Sequence, residues 1–135
     1  MAADDFFKGL AISASGLNAE WLRMQVVANN VANAQTTRTP EGGPYRKQHV
    51  LFTTVMDELN GVTVAGVTQS KAPPVFVRDP DHPDANPDTG LVAMPDIKVP
   101  LEMIDLMGAS RAYEANLMAL RNFKQLLEEA IKAMR

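Results

Sequence analysis

Leu10-Ala11-Ile12-Ser13-Ala14-Ser15-Gly16-Leu17-Asn18-Ala19-Glu20-Trp21-Leu22-Arg23-Met24-Gln25-Val26-Val27-Ala28-Asn29-Asn30-Val31 carries the pattern that decides the fold. Within it Leu10, Ala14, Leu17, Trp21, Met24, Ala28 and Val31 recur at alternating steps of four and three. That spacing keeps one side of an α-helix apolar over many turns and is the seam of a coiled coil. Asp4 and Asp5 suit a helix N-terminus, where free N–H groups and the positive end of the helix dipole favour carboxylates. The spacing predicts a helix from about Asp4 to Asn33, roughly 45 Å long at ~1.5 Å per residue.

Proline marks the limits of this pattern. All nine prolines fall between Pro40 and Pro100. Proline lacks an N–H and clashes with the preceding helical turn, so the chain reads as helix, irregular or β middle, helix. The second helix is expected from Pro100, a favoured first helical position, almost to Arg135. Its seam reads Met103, Leu106, Ser110, Tyr113, Leu117, Leu120, Phe123, Leu127, Ala130 and Met134, with one three-three slip at Leu117-Leu120-Phe123.

The expected fold is mainly α. Residues 1–34 and 100–135 are expected to form the two helices of a coiled coil, and residues 35–99 an extended segment and a small β-rich region. Strand-like runs occur at Tyr45–Val55 and Val62–Thr68, joined through an Asn60-Gly61 turn signal, with shorter ones at Val75–Arg78 and Leu91–Met94. Residues 79–90 are too rich in proline for regular structure. No internal repeat is present.

Composition narrows function. The 135 residues are 46% hydrophobic and 21% charged, an ordered protein's balance. Aromatics are 6%, adequate for helix-on-helix contact and thin for an independent globular core. A net charge of −3 without a basic stripe argues against nucleic-acid binding. There are no cysteines, hence no disulfide, Cys-based zinc site or thiol nucleophile. No run approaches the ~18 apolar residues of a transmembrane segment. The acidic start, Met1-Ala2-Ala3-Asp4-Asp5, is unlike a cleaved secretory signal peptide, so any export is expected without one.

Chemical sites find little support. The calcium loop of an EF-hand needs glycine at its sixth position and a bidentate glutamate at its twelfth. Counted from Asp84, those places hold Thr89 and Pro95, so no metal is expected. His49 and His82 sit in no nucleophile motif, and Glu128-Glu129 reads as solvated charge at a helix end. No cofactor motif and no catalytic residues are expected. A cell-wall enzyme acting through Glu20 or Glu114 is the weakest rival.

Each helix also carries apolar residues outside its seam. Ile12, Ala19, Leu22 and Val26 form a second stripe on the first helix; Leu101, Ile104, Ala109, Ala112, Ala115, Met118 and Ala119 lie off the seam of the last. Fully burying a large apolar side chain contributes about 1.5–3 kcal/mol, and exposed apolar patches mark interaction sites. The stripes therefore ask for neighbours. Two alternatives remain open: the middle segment folds back over them, or the ends order only on assembly. A soluble two-helix adaptor or binding module is the functional rival to an assembly subunit.

Asn29, Asn30 and Asn33 end the first helix. They either cap it or hold the outgoing segment. Arg111 and Glu114, three apart, pair with each other or across subunits. Tyr113 on the seam reads as core.

Three passages carry a family resemblance. Asn29-Asn30-x-Ala32-Asn33-x-x-Thr36-Thr37, continuing Arg38-Thr39-Pro40-Glu41-Gly42-Gly43-Pro44-Tyr45, resembles the signature of the flagellar axial proteins of rod and hook, and within them the proximal-rod branch. Asp79-Pro80-Asp81-His82-Pro83-Asp84-Ala85-Asn86 with Gly90-Leu91-Val92 is similar to that branch's middle loop. Ser110-Arg111-Ala112-Tyr113-Glu114-Ala115-Asn116 resembles the family's C-terminal helix signature. Gln35 and Gly108 are the departures; Gly108 lowers helix stability by about 1 kcal/mol relative to alanine.

The resemblance implies a structural subunit of the bacterial flagellar basal body, exported unfolded by the flagellar type III apparatus. It implies that the two terminal helices pair as an antiparallel coiled coil, and that the subunit assembles helically in the periplasm with copies of itself and other rod proteins, into a shaft that carries motor torque to hook and filament. Site residues under this reading act in assembly: the two seams, Asn29, Asn30, Asn33 and the 110–116 passage with Asn116.

Overall fold

The computed structural model describes residues 2–54 and 61–135. In chain order the elements are α1 (Ala2–Ala32), β1 (Gln48–Thr54), β2 (Val62–Gln69), β3 (Val75–Arg78), β4 (Leu91–Met94) and α2 (Val99–Ala133). The Asn60-Gly61 turn expected between β1 and β2 involves Asn60, outside the described residues.

The helices pack against each other, antiparallel and in constant register. Gly9 faces Phe123 and Gly16 faces Asn116, while Asn30 bonds Glu102. Each step of seven or fourteen along α1 is matched by the same step backwards along α2. The line of contact is Gly9, Ser13, Gly16, Glu20, Arg23, Val27 and Asn30 on α1. On α2 it is Glu102, Leu106, Ala109, Tyr113, Asn116, Leu120 and Phe123, and none of these fourteen residues is exposed. Phe6 adds an edge-to-face contact with Phe123, ring centroids 5.2 Å apart.

This line differs from the expected one. On α1 it falls one residue earlier, a rotation of ~100°. Leu10, Leu17, Met24 and Val31 are half-buried flanks, while Ala28 is exposed and Trp21 is 53% exposed. On α2, Leu106, Tyr113, Leu120 and Phe123 lie on the line, Met103 is exposed, and Ser110 and Leu117 flank it. The three-three slip disappears, because Asn116-Leu120-Phe123 continues the four-three rhythm. The physical reason is size. A β-carbon on Gly9 would stand 2.9 Å from Phe123 Cζ, and one on Gly16 would stand 2.8 Å from Asn116 Nδ2. Small residues on α1 admit large ones from α2, and the greasier lines close over the sides.

The β1–β2 hairpin is antiparallel, with an irregularity where Leu51 pairs with Gly66 and Phe52 with Val64, leaving Ala65 over. It lies along α1. Val62 N–H donates to Ser15 Oγ at 3.1 Å, and Gln48 N–H donates to Asn30 Oδ1 at 2.9 Å. From Ser15 to Asn30 the helix rises roughly 22 Å, and a seven-residue strand spans roughly 23 Å. The lengths match, and between those anchors Ala19 and Val26 are buried at 4% and 5% exposure. The middle segment thus folds back over the second stripe of α1 from Ala19 to Val26, leaving Ile12 40% exposed. It leaves that of α2 open: Leu101 and Ile104 stay more than half exposed, whereas Ala109 turns inward onto the contact line.

Strands β3 and β4 form a second antiparallel hairpin, Val75 opposite Met94 and Arg78 opposite Leu91. The proline-rich residues between them form linked turns. Asp79 N–H donates to Gly90 C=O, Asn86 N–H to Leu91 C=O, and Asp88 N–H to Asn86 Oδ1. No helix is long and apolar enough to cross a membrane among the described residues.

Candidate functional site

Where α1 ends, the chain must turn outward without leaving buried amides unpaired. Asn33 begins the turn: its Nδ2 donates to Asn29 C=O at 2.9 Å and its Oδ1 accepts from Thr36 Oγ1 at 3.1 Å. Gly42 and Gly43 then take positive φ angles of 88° and 78°, which a side chain disfavours. Thr39 N–H donates to Gly43 C=O, closing the loop, and Tyr45 N–H donates back to Thr36 C=O.

The turn delivers Tyr45, Lys47 and Gln48 to Asn30, which is 1% exposed. Asn30 Nδ2 donates to Gln48 C=O at 2.9 Å and to Glu102 Oε2 at 3.0 Å. Its Oδ1 accepts from Gln48 N–H at 2.9 Å and from the Tyr45 hydroxyl at 3.1 Å. All four hydrogen-bonding positions of the side-chain amide are used. Glu102, also 1% exposed, sits in the first turn of α2, where the helix dipole favours a carboxylate. Lys47 Nζ forms an ion pair with its Oε1, which takes no hydrogen bond of good angle among the described residues. Burial, reinforced by the Glu102 carboxylate, holds the Tyr45 phenol above its ordinary pKa.

A second polar contact ties the outgoing segment to the β3–β4 turn. Thr37 Oγ1 donates to Asp84 Oδ2 at 2.7 Å, and Arg38 pairs with Asp84 Oδ1. Asp84 N–H in turn donates to His82 Nδ1. These bonds hold the Asp84 carboxyl below its ordinary pKa, the Thr37 hydroxyl first and the Arg38 charge after it. A carboxylate lowered on folding adds stability above its unfolded pKa, and loses it as pH falls through the folded value. Carbon-13 titration of the Asp84 carboxyl should therefore show a midpoint below that of a free aspartate. Thr37→Val should raise it more than Arg38→Gln, because Arg38's side chain is 78% exposed and its charge is screened by solvent.

The other sequence-predicted residues divide by position. Arg111 and Glu114 are both exposed, and no ion pair joins them among the described residues. Asn116 is half-buried, with Nδ2 donating to Ala112 C=O at 3.1 Å. Leu127 is 42% exposed, and every residue from Lys124 to Arg135 is exposed. Ile104, Met107, Gly108, Arg111, Ala115 and Met118 lie roughly 180° around α2 from the contact line. Of these, Ile104 is 59%, Met107 54% and Met118 62% exposed. A β-carbon on Gly108 would meet nothing within 4 Å.

Sequence reasoning missed Tyr45, Lys47, Gln48 and Glu102, and the Thr37–Asp84 contact. Their partners lie 15 to 72 positions away, beyond any local pattern. It also passed over Gly9 and Gly16, for which a signal existed: two glycines seven apart, each costing a helix about 1 kcal/mol, indicate close helix approach.

Comparison with known proteins agrees with this anatomy. Residues 10–38 match the family model "Flagella basal body rod protein", and residues 89–133 match "Flagellar basal body rod FlgEFG protein C-terminal". The chain is 35% identical to the flagellar basal-body rod protein FlgC of Borreliella burgdorferi, over 93% of this chain and 95% of the relative. It is 40% identical to that of Salmonella typhimurium, over 86% and 88%, and 35% identical to that of Bacillus subtilis, over 93% and 96%. The family-model segments hold α1 from Leu10 onward with its asparagine-rich end, the β4 strand and all of α2. The chain belongs to the FlgC family of flagellar basal-body rod proteins, which are structural and non-enzymatic.

Proposed function

We propose that this chain is a subunit of the proximal rod, packing helically with copies of itself and other rod proteins to form the shaft that carries torque to hook and filament. It reaches the periplasm through the flagellar type III apparatus. The absence of disulfides suits passage as an unfolded thread. The seam holds each subunit's two helices together, and their remaining apolar faces bind neighbours.

The observation that carries this reading is the outward face of α2. The β1–β2 hairpin covers the second stripe of α1 from Ala19 to Val26, but Leu101, Ile104, Met107 and Met118 on α2 remain at least half exposed. Covering what is still exposed on each contributes on the order of 1 kcal/mol. Several such side chains on a long helix make a stiff lateral contact. Arg111 within that face and Glu114 beside it, both exposed, supply polar groups, as does Asn29 at the end of α1.

The test is an Ile104→Glu/Met118→Glu variant in a motile strain lacking its own copy. Neither residue touches the seam, so the purified variant should melt within about 1 kcal/mol of the unaltered chain. Cells carrying it should build no hook or filament. Normal swimming would remove the outward face from the assembly. An unaltered chain that stays soluble and is absent from purified basal bodies would favour the soluble adaptor instead.

A further inference from the structure

We infer that Glu102 makes the docking of α2 and the anchoring of the β1–β2 hairpin a single event, transmitted through the side chain of Asn30. This stands on the geometry of the subunit and does not depend on where the subunit sits in the rod.

The Asn30 amide treats Gln48 as a neighbouring strand would. It accepts from the Gln48 N–H and donates to the Gln48 C=O, both at 2.9 Å, adding one rung to the first residue of β1. An amide is planar, so pointing Oδ1 and Nδ2 at Gln48 fixes where the remaining Nδ2 proton goes. It goes to Glu102, at 3.0 Å. Lys47, the residue before Gln48, pairs with the other oxygen of the same carboxylate. The start of β1 is thus held twice by one α2 side chain, once through Asn30 and once through Lys47.

Withdrawal of Glu102 leaves an Asn30 proton unpaired in a 1% exposed site and an ammonium without its counterion. Both penalties fall next to Gln48. The far end of the hairpin has a different anchor, Val62 N–H on Ser15 Oγ, which involves α1 alone. The hairpin is therefore fixed at its Ser15 end by α1 alone, and at its Asn30 end by an α1 side chain whose bonding Glu102 of α2 completes. Its outer residues, Leu51, Phe52, Val62 and Val67 among them, are exposed, so its orientation determines what the subunit presents outward. A chain folding from its N-terminus would hold this hairpin loosely until residue 102 arrives.

Amide hydrogen exchange on the full chain tests this. In Glu102→Leu protein, exchange at Gln48 should rise about tenfold or more, and at Val62 by less than about threefold. In Lys47→Met protein, exchange should rise in the first turn of α2, the reciprocal effect that coupling requires. Should Glu102→Leu not fold, Glu102→Gln keeps the shape, removes the charge and is read at the same two amides. The Lys47→Met/Glu102→Gln double variant should then raise Gln48 exchange by less than the product of the single effects. Unchanged exchange at Gln48, equal rises at Gln48 and Val62, or independent effects of Lys47 and Glu102 would each overturn the inference.

Discussion

Asn30→Leu protein is expected to unfold more than about 10 °C below the unaltered chain in a circular-dichroism melt, while Asn29→Ala melts within about 2 °C of it. The two asparagines are adjacent, but their surroundings are not comparable. Asn29 is exposed, and its neighbours use its backbone carbonyl, which alanine keeps. Asn30 is buried and saturates the Gln48 N–H and C=O, the Tyr45 hydroxyl and one oxygen of Glu102. Leucine keeps the branched outline with somewhat more bulk and offers none of those bonds. Each neutral group left unpaired costs about 1–3 kcal/mol, and a charged one more. Water reaches some of them after relaxation, so about 4 kcal/mol is the expected net loss. A melt within about 1 kcal/mol of the unaltered protein would show that the polar hub does not hold the fold.

Gly16 carries the second large effect, and its sign depends on the size of the replacement. A β-carbon there would stand 2.8 Å from Asn116 Nδ2. Alanine makes that contact with the tip of a movable side chain, although Asn116 would strain its bond to Ala112. Against this, alanine adds about 1 kcal/mol of helix propensity. Gly16→Ala is therefore expected within about 1 kcal/mol of the unaltered stability. Gly16→Leu has no such escape, since its branched end extends beyond the β-carbon into space that the Asn116 side chain already fills. Overpacking of this kind costs about 1–3 kcal/mol, and the helices must part to relieve it. Chemical denaturation should show a loss near the top of that range, and cells carrying Gly16→Leu should lose motility. If leucine proved as benign as alanine, the helices would not meet in the register described.

The element order was legible because proline and apolar spacing act locally. Eight of the nine prolines fall in the middle segment and left only the ends to be helical, and the ninth, Pro100, lies in the first turn of α2. Which side of α1 meets α2 was not legible. Leu10, Leu17, Met24 and Val31 are greasier than Gly9, Gly16, Arg23 and Asn30, and periodicity selects the greasier line. The helices meet along the smaller line instead, because closeness of approach and the Asn30–Glu102 bond reward it. The choice left open for the extra stripes resolves differently on each helix, since the β1–β2 hairpin is long enough to cover Ala19 through Val26 and reaches only α1. The hub itself was invisible for a simpler reason. Asn30 and Glu102 stand 72 residues apart, and only the fold brings them together.

The outward face of α2 is where this account is most exposed to test. Photo-crosslinking residues placed singly at Ile104 and Met118, with Leu120 on the seam as control, can be activated in purified basal bodies. Positions 104 and 118 should each yield a covalent adduct to another rod subunit, and position 120 should yield none. Assembled rods in which 104 and 118 give no intersubunit adduct would contradict the assignment of that face to assembly.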